Sequence, residues 1–449
     1  MSEDRRSRLR RWLESGEVSL QPLTFPQREL WESSPIPVSD SSNHICTLIE
    51  VRGLLTSGDC EAAVQHVAAR QEVMRLSVLP GKERPVQMIR RSGSPNMKFR
   101  QVPRSERQPE AVEELMQVDF REPFDLLQGP LYRVSVLRRS ADDHFLVLTI
   151  HHAIADGWTL GTFVQDLCAA HALRRMGAPD GLPPVHLSYS AWGAAERASW
   201  PRGEIDRRVP FWQSHLAGAQ RLRTASVDSH AMTGPLQRSV SLVPVNLGRG
   251  ARELARRHGI TLFSTLLTVF RMTLSRWIGA TDIVVGTPVA NRNRPGVCET
   301  MGYCSGIVPL RGHVDEDRPF SDSLLAVHRT SVDCFANAIP FAELTRALGD
   351  LPSPGHTPIF DVRFALQNHP VPYAAVAGMA FKLRMRSTGT ARFHLGCEIT
   401  ENGEALEVVW LFRPKLFPRE EIEDLASLFE AVLARVARTP DSRPAALTI

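Results

Sequence analysis

Apolar residues along this chain alternate between the period of strands and the period of helices. Segment 131–138 alternates from Leu131 to Leu137, and segment 145–150 is an almost unbroken apolar and β-branched run. The polar turn Ser140 to Asp143 between them predicts an antiparallel hairpin, with 145–150 buried on both faces. Helical spacing is clear over 59–70, where Ala62, Val64, Val67 and Ala68 form the expected apolar stripe. A turn is expected at 79–82. A charged helix is expected to open at Pro109, a residue suited to a first turn, and to end before Phe120. Further helices are predicted over 162–175, 262–278 and 419–438, with a strand at 282–286. The basic run from Arg5 to Arg11 predicts a short, solvated opening helix.

This alternation predicts an α/β protein. Three prolines and two glycines between Met176 and Pro184 read as a linker, dividing the chain into 1–178 and 179–449. A length of 449 residues exceeds one compact core and suits two units of roughly 200 residues. No short repeat or low-complexity segment interrupts this picture.

Composition then narrows the class. Apolar content of 43% and charged content of 23% are ordinary for a soluble globular protein. An excess of 53 basic over 49 acidic residues is too small to imply nucleic acid as a partner. Charge fills the first residues where a secretory signal needs an apolar stretch, and no run approaches a membrane span of ~20 apolar residues. The seven cysteines are scattered without a Cys-x-x-Cys pair, so neither a zinc site nor a disulfide framework is expected. A reducing cytoplasm is the expected compartment, and no metal is assigned.

The candidate chemistry lies just after the buried run. His151 and His152 follow Ile150, and Asp156-Gly157-Trp158-Thr159 come next. Two histidines at a strand end, ahead of an Asp-Gly loop, read as a base presented at the edge of a sheet; paired histidines buried for structure alone are the alternative.

The pattern His-His-x-x-x-Asp-Gly resembles the signature of the condensation domains of nonribosomal peptide synthetases, relatives of chloramphenicol acetyltransferase. Other segments resemble the family in its order. These are Thr24 to Trp31 (with Glu29 where arginine is usual), Arg70 to Arg75, Pro123 to Leu131, His186 to Trp192, Phe211-Trp212 with Leu216 to Gly218, and Gly286 to Arg292. Ala336 to Phe341 and Pro358 to Phe360 are weaker matches.

The resemblance implies two acetyltransferase-like lobes joined in a V, with His152 in a tunnel through the cleft. It implies a donor carrier protein, and an acceptor carrier or a small-molecule acceptor, each carrier delivering its substrate on a phosphopantetheine arm. The chain itself would bind no cofactor and act as a monomer. His152 is the expected base, or the group that orients the nucleophile, and His151 is read as structural. Asp156 is implied to hold the loop by pairing with an arginine, Arg292 first and Arg75 second. Gly157 would allow a close backbone approach and offer its N–H to an oxyanion. Thr159, serine in most relatives, would serve there or cap the following helix.

Departures from the family pattern put substrate choice in doubt. Gly306 stands where asparagine is usual and His394 where aspartate is usual, and the positions before Pro340 are altered. Gly306, His394 and Trp158 are the candidate tunnel residues. The expected reaction is transfer of an acyl, aminoacyl or peptidyl group from a carrier thioester to an amine or hydroxyl. The alternatives are transfer from coenzyme A or to a small soluble acceptor, a noncatalytic recruiting platform, and epimerisation. Heterocyclisation is disfavoured, because there an aspartate replaces the histidines. Without adenylation or carrier segments, a free-standing chain would act in trans, and an excised one would derive from a multimodular synthetase.

Overall fold

The computed structural model describes residues 3–32, 41–80, 84–103, 108–178, 181–220, 236–352, 358–367, 373–376, 378–386 and 393–443. Two six-stranded sheets, each backed by helices, organise two large hydrophobic cores. A smaller three-stranded sheet (Val18–Pro22, Val86–Arg90 and Leu76–Leu79) flanks the first.

The first large sheet places the predicted hairpin at its heart. Tyr132–Arg138 and Asp143–His151 pair antiparallel, and Asp143–His151 pairs on its other side with His44–Arg52. A strand flanked on both sides and buried on both faces needs no polar alternation, which explains the continuous run at 145–150. The helices Ser57–Arg70 and Gly157–Arg175 pack on this sheet and on each other. In the first of them Ala63 rather than Ala62 joins the buried stripe with Cys60, Val64, Val67 and Ala68. The helix from Pro109 continues to Arg121, taking in Phe120, whose ring packs inward. The turn expected at 79–82 lies partly outside the described residues.

In the second sheet the order runs Gly306–His313, Asp282–Val289, Val362–Gln367, Leu395–Asn402, Ala405–Phe412, Gln237–Val243. Leu262–Ile278 is buried along most of its length and packs on Arg419–Arg438. Both helices form where periodicity predicts them.

The expected division at 178/179 is not respected by the chain. Met379–Arg386 crosses into the first sheet and pairs antiparallel with His44–Arg52, from Ala380 opposite Arg52 to Arg386 opposite Cys46. Tyr189, Trp192, Val297, Met301 and Cys304 also lie in the first core. The edge of His44–Arg52 would otherwise present unpaired amides and carbonyls, and the crossing strand satisfies them.

Candidate active site

The strand Asp143–His151 ends at His151, whose Cα partner across the ladder is His44. The His151 ring is fully buried against the His44 and Phe124 rings, with centroids 5.9 and 6.4 Å away. Its Nδ1 accepts the N–H of Ala153 at 3.0 Å, so in the neutral ring the proton resides on Nε2. That bond starts the single 3₁₀ turn His152–Ile154, and His151 caps it.

His152 is half-buried. Its ring lies 4.4 Å from the Tyr303 ring at 58°, and Tyr303 arrives from the C-terminal half. Tyr303 packs with Leu30 and Ala153, which fixes the wall beside His152. The turn is gripped from the opening motif as well: Gln27 Nε2 donates to the Ala153 carbonyl at 2.9 Å. Tyr189 donates its hydroxyl to the Tyr303 carbonyl at 3.0 Å and accepts from the Thr24 hydroxyl at 3.1 Å. Gln27 and Tyr189 stand in motifs that the sequence singled out without showing what they hold. Tyr303 lies three residues before Gly306, in a segment that departs from the family pattern. Aromatic character at 303 was the one signal of its place.

Asp156 is the N-cap of Gly157–Arg175, so the helix begins five residues earlier than its periodicity indicated. The cause is a capping box. Asp156 Oδ1 accepts from the Thr159 N–H at 3.0 Å, and Thr159 Oγ1 accepts from the Asp156 N–H at 3.3 Å. Arg292 Nη2 reaches both carboxylate oxygens, at 3.1 and 3.2 Å. The backbone N–H groups of Cys304 and Ser305 donate to Oδ2 at 3.1 and 3.2 Å. Arg292 also donates to the carbonyls of Val297, Thr300 and Gly302. Burial alone would lower the pKa of its guanidinium, but the charge and hydrogen bond of Asp156 outweigh it and raise the pKa. Arg75, the second candidate, instead donates to the carbonyls of Ala68, Ala69, Arg90 and Arg91.

Thr159 is fully buried, and its hydroxyl lies 3.0 Å from both the N and the O of Gly302. The geometry favours a cap and brace over an oxyanion donor. Gly157 is the first residue of its helix and has no positive φ; its N–H belongs to a first turn, where amides lack intrahelical partners. Trp158 donates its indole N–H to the Cys298 carbonyl at 3.0 Å, and the Arg292 guanidinium lies 5.6 Å from its ring centre.

A second clamp holds the same crossing segment. Gln71 Oε1 accepts the Met301 N–H at 3.0 Å, and its Nε2 donates to the Glu299 carbonyl at 2.9 Å and to Asp166 at 2.7 Å. Arg70 pairs with Asp166 and with Glu299.

Gly306 opens the strand Gly306–His313 opposite Val289 and lines a cavity of about 270 Å³ between the two halves. His394 sits elsewhere. It is buried at the foot of Leu395–Asn402, with Nδ1 3.7 Å from Asp361 Oδ1, and does not line that cavity. Among the described residues no three His, Cys, Asp or Glu side chains are grouped to hold a metal, and all seven cysteines are free. No described helix is long and apolar enough to cross a membrane.

The fold and site thus define a two-lobed α/β protein with a histidine-bearing strand end at the junction of its halves. Solved structures share this architecture. The X-domain from teicoplanin biosynthesis superposes with a TM-score of 0.83 at 20% identity, covering 95% of this chain and 97% of that one. The condensation domain of the monacolin K polyketide synthase MokA has a TM-score of 0.83 at 15% identity, covering 95% and 99%. In sequence, the chain is 30% identical over 444 residues to the phosphinothricin tripeptide synthetase PhsC of Streptomyces viridochromogenes, covering 95% of this chain and 40% of that protein. It spans well under half the length of the curated relatives it matches. The chain belongs to the Condensation domain family, which matches residues 18–449.

Proposed function

We propose that this chain is an active condensation domain that transfers an acyl, aminoacyl or peptidyl group from a carrier-bound thioester to an amine or hydroxyl. The observation that carries the reading is the position of His152. It stands half-buried on a turn locked from both sides, against Tyr303 of the other half. The names of relatives such as the phosphinothricin tripeptide synthetase support a role in peptide antibiotic assembly.

A thioester is already activated, so no covalent enzyme intermediate is needed. The nucleophile's lone pair attacks the carbonyl carbon, the C–S bond breaks, and the thiol leaves on the donor arm. One proton must pass from the nucleophile to the departing sulfur, and His152 is placed to accept it or to orient the group that carries it. Alignment of two tethered reactants contributes up to roughly 7–11 kcal/mol. A positioned histidine adds on the order of 10²–10⁴-fold. Asp156 takes no part as a dyad partner, because Arg292, Thr159 and two backbone amides occupy its carboxylate. The Gly157 N–H, at a helix N-terminus, is the favoured donor to the developing oxyanion.

The test is intact-protein mass spectrometry of acyl-loaded carrier protein mixed with this chain and an amine or hydroxyl acceptor. Acyl loss from the carrier with His152-dependent product formation is expected. Turnover with acyl-coenzyme A alone would replace the carrier-dependent reading. Unchanged product formation by His152→Ala would favour a recruiting role, the function class that needs no base.

A further inference from the structure

One buried group plays no part in the loop just described. Glu196, on the helix Tyr189–Ala198, is 9% exposed and lines the cavity of about 270 Å³ between the halves. Its carboxyl accepts a hydrogen bond from the Phe25 N–H to Oε2 at 3.1 Å and enters no ion pair among the described residues. The nearby cations face other partners. Arg197 donates to the carbonyls of Pro22 and Leu23, Arg28 pairs with Glu343 and Glu32, and Arg294 Nη2 turns to Ala195 and Ser199. A buried carboxyl with one amide partner and no direct ion pair is costly to ionise, and a cation brought into contact with it would offset that cost.

The remaining wall fits such a guest. Glu29, also buried, lines the same space, as does Arg294. Phe25, Trp192, Trp200 and Ile339 supply apolar sides. Gly306 keeps the floor open: a Cβ there would lie 3.0 Å from Asn291 Nδ2. The volume falls just below the roughly 300–1,000 Å³ of small-molecule pockets, which limits the occupant to one compact group. Two chain connections link this cavity to the base. Glu29 and Pro26 flank Gln27, which holds the turn after His152, and Gly306 follows Tyr303 by three residues.

We propose that this cavity is a specificity subsite for a compact, amine-bearing side chain or acceptor, with Glu196 as its counter-charge and Gly306 setting its depth. The assignment deepens the acyl-transfer reading and rests on it only for the timing of occupancy, not for binding. Burial has pushed the Glu196 carboxyl up to about 8 despite Arg197, Arg294 and Arg28 in its field. An incoming ammonium would draw that value down, so binding strengthens as pH rises toward it.

The experiment titrates the purified chain with n-butylamine, and with 1-butanol as the neutral isostere, following tryptophan fluorescence. Saturable n-butylamine binding is expected, about tenfold weaker for 1-butanol and for Glu196→Gln, since a charge-assisted hydrogen bond is lost in each. Gly306→Val should abolish binding, with circular dichroism confirming that each variant is folded. His152→Ala should bind n-butylamine like the wild type. Equal binding of the alcohol, equal binding by Glu196→Gln, or no saturable amine binding by the wild type would overturn the subsite. Turnover that persists under those outcomes would leave the acyl-transfer reading standing, so the two failures are distinguishable.

Discussion

Arg292 Nη2 lies 3.1 Å from Oδ1 and 3.2 Å from Oδ2 of Asp156, joining residues 136 positions apart just beyond His152. Both side chains are at most 4% exposed, so the pair is a buried bond between the two halves rather than a surface contact. The same guanidinium gathers the carbonyls of Val297, Thr300 and Gly302, and the same carboxylate caps the helix Gly157–Arg175. One interaction therefore sets the loop's shape, the helix start and the placement of Tyr303.

Removal of one partner leaves the other charged and buried. Arg292→Ala is expected to cost about 3–5 kcal/mol of unfolding free energy. Arg292→Lys should recover only part of it, because one ammonium cannot reach the carboxylate and three carbonyls in fork geometry. Urea unfolding monitored by tryptophan fluorescence checks both; a loss under about 1 kcal/mol for Arg292→Ala would contradict the buried-pair account.

The adjacent histidines should separate rate from stability. His152→Ala is expected to lower the condensation rate by about 10²–10⁴-fold with little change in melting temperature. His151→Ala should lower the melting temperature clearly, since it empties a buried site and removes the cap on Ala153. Paired measurements of single-turnover rate and thermal melting decide it, and the reverse pattern would exchange the two roles.

Thr159 distinguishes bracing from catalysis. Thr159→Val keeps the volume but strands the Gly302 N–H, so a loss of about 1–3 kcal/mol is expected. Thr159→Ser, which retains the hydroxyl, should restore most of it. If Thr159→Val melts like the wild type but turns over far more slowly, the oxyanion role would be the correct one.

Glu196 should leave a mark on the pH dependence of stability. Its folded pKa is about 8 against a reference of 4.5, so between these values the folded state holds a proton that the unfolded state has lost. Stability from this group is complete below the unfolded value and falls as pH rises through the folded one, by on the order of a few kcal/mol. Glu196→Gln should flatten that decline. Chemical unfolding at pH 5, 7 and 9, compared with the wild type, checks it; parallel profiles would refute the shift.

Much of this architecture was legible in the chain because period reports burial. The hairpin of Tyr132–Arg138 and Asp143–His151 and the helix Leu262–Ile278 each bury a pattern visible in a short window. Boundaries set by capping were less legible. Gly157–Arg175 starts at Asp156 because a carboxylate accepts the Thr159 amide, and no hydrophobic period announces that.

The roles of Gln27, Tyr189 and Tyr303 were harder still, since each acts on a residue more than a hundred positions away.

By itself, the sequence determined the α/β class, the strand that ends in His151 and the reactive loop, because these depend on local pattern and residue type. Only the tertiary structure decided that Met379–Arg386 completes the first sheet, that Arg292 rather than Arg75 holds Asp156, and that Glu196 lines a cavity with no ion pair among the described residues. Those facts rest on contacts between distant segments, whose energies arise from shared burial and paired charge, and no local window of the chain contains both partners.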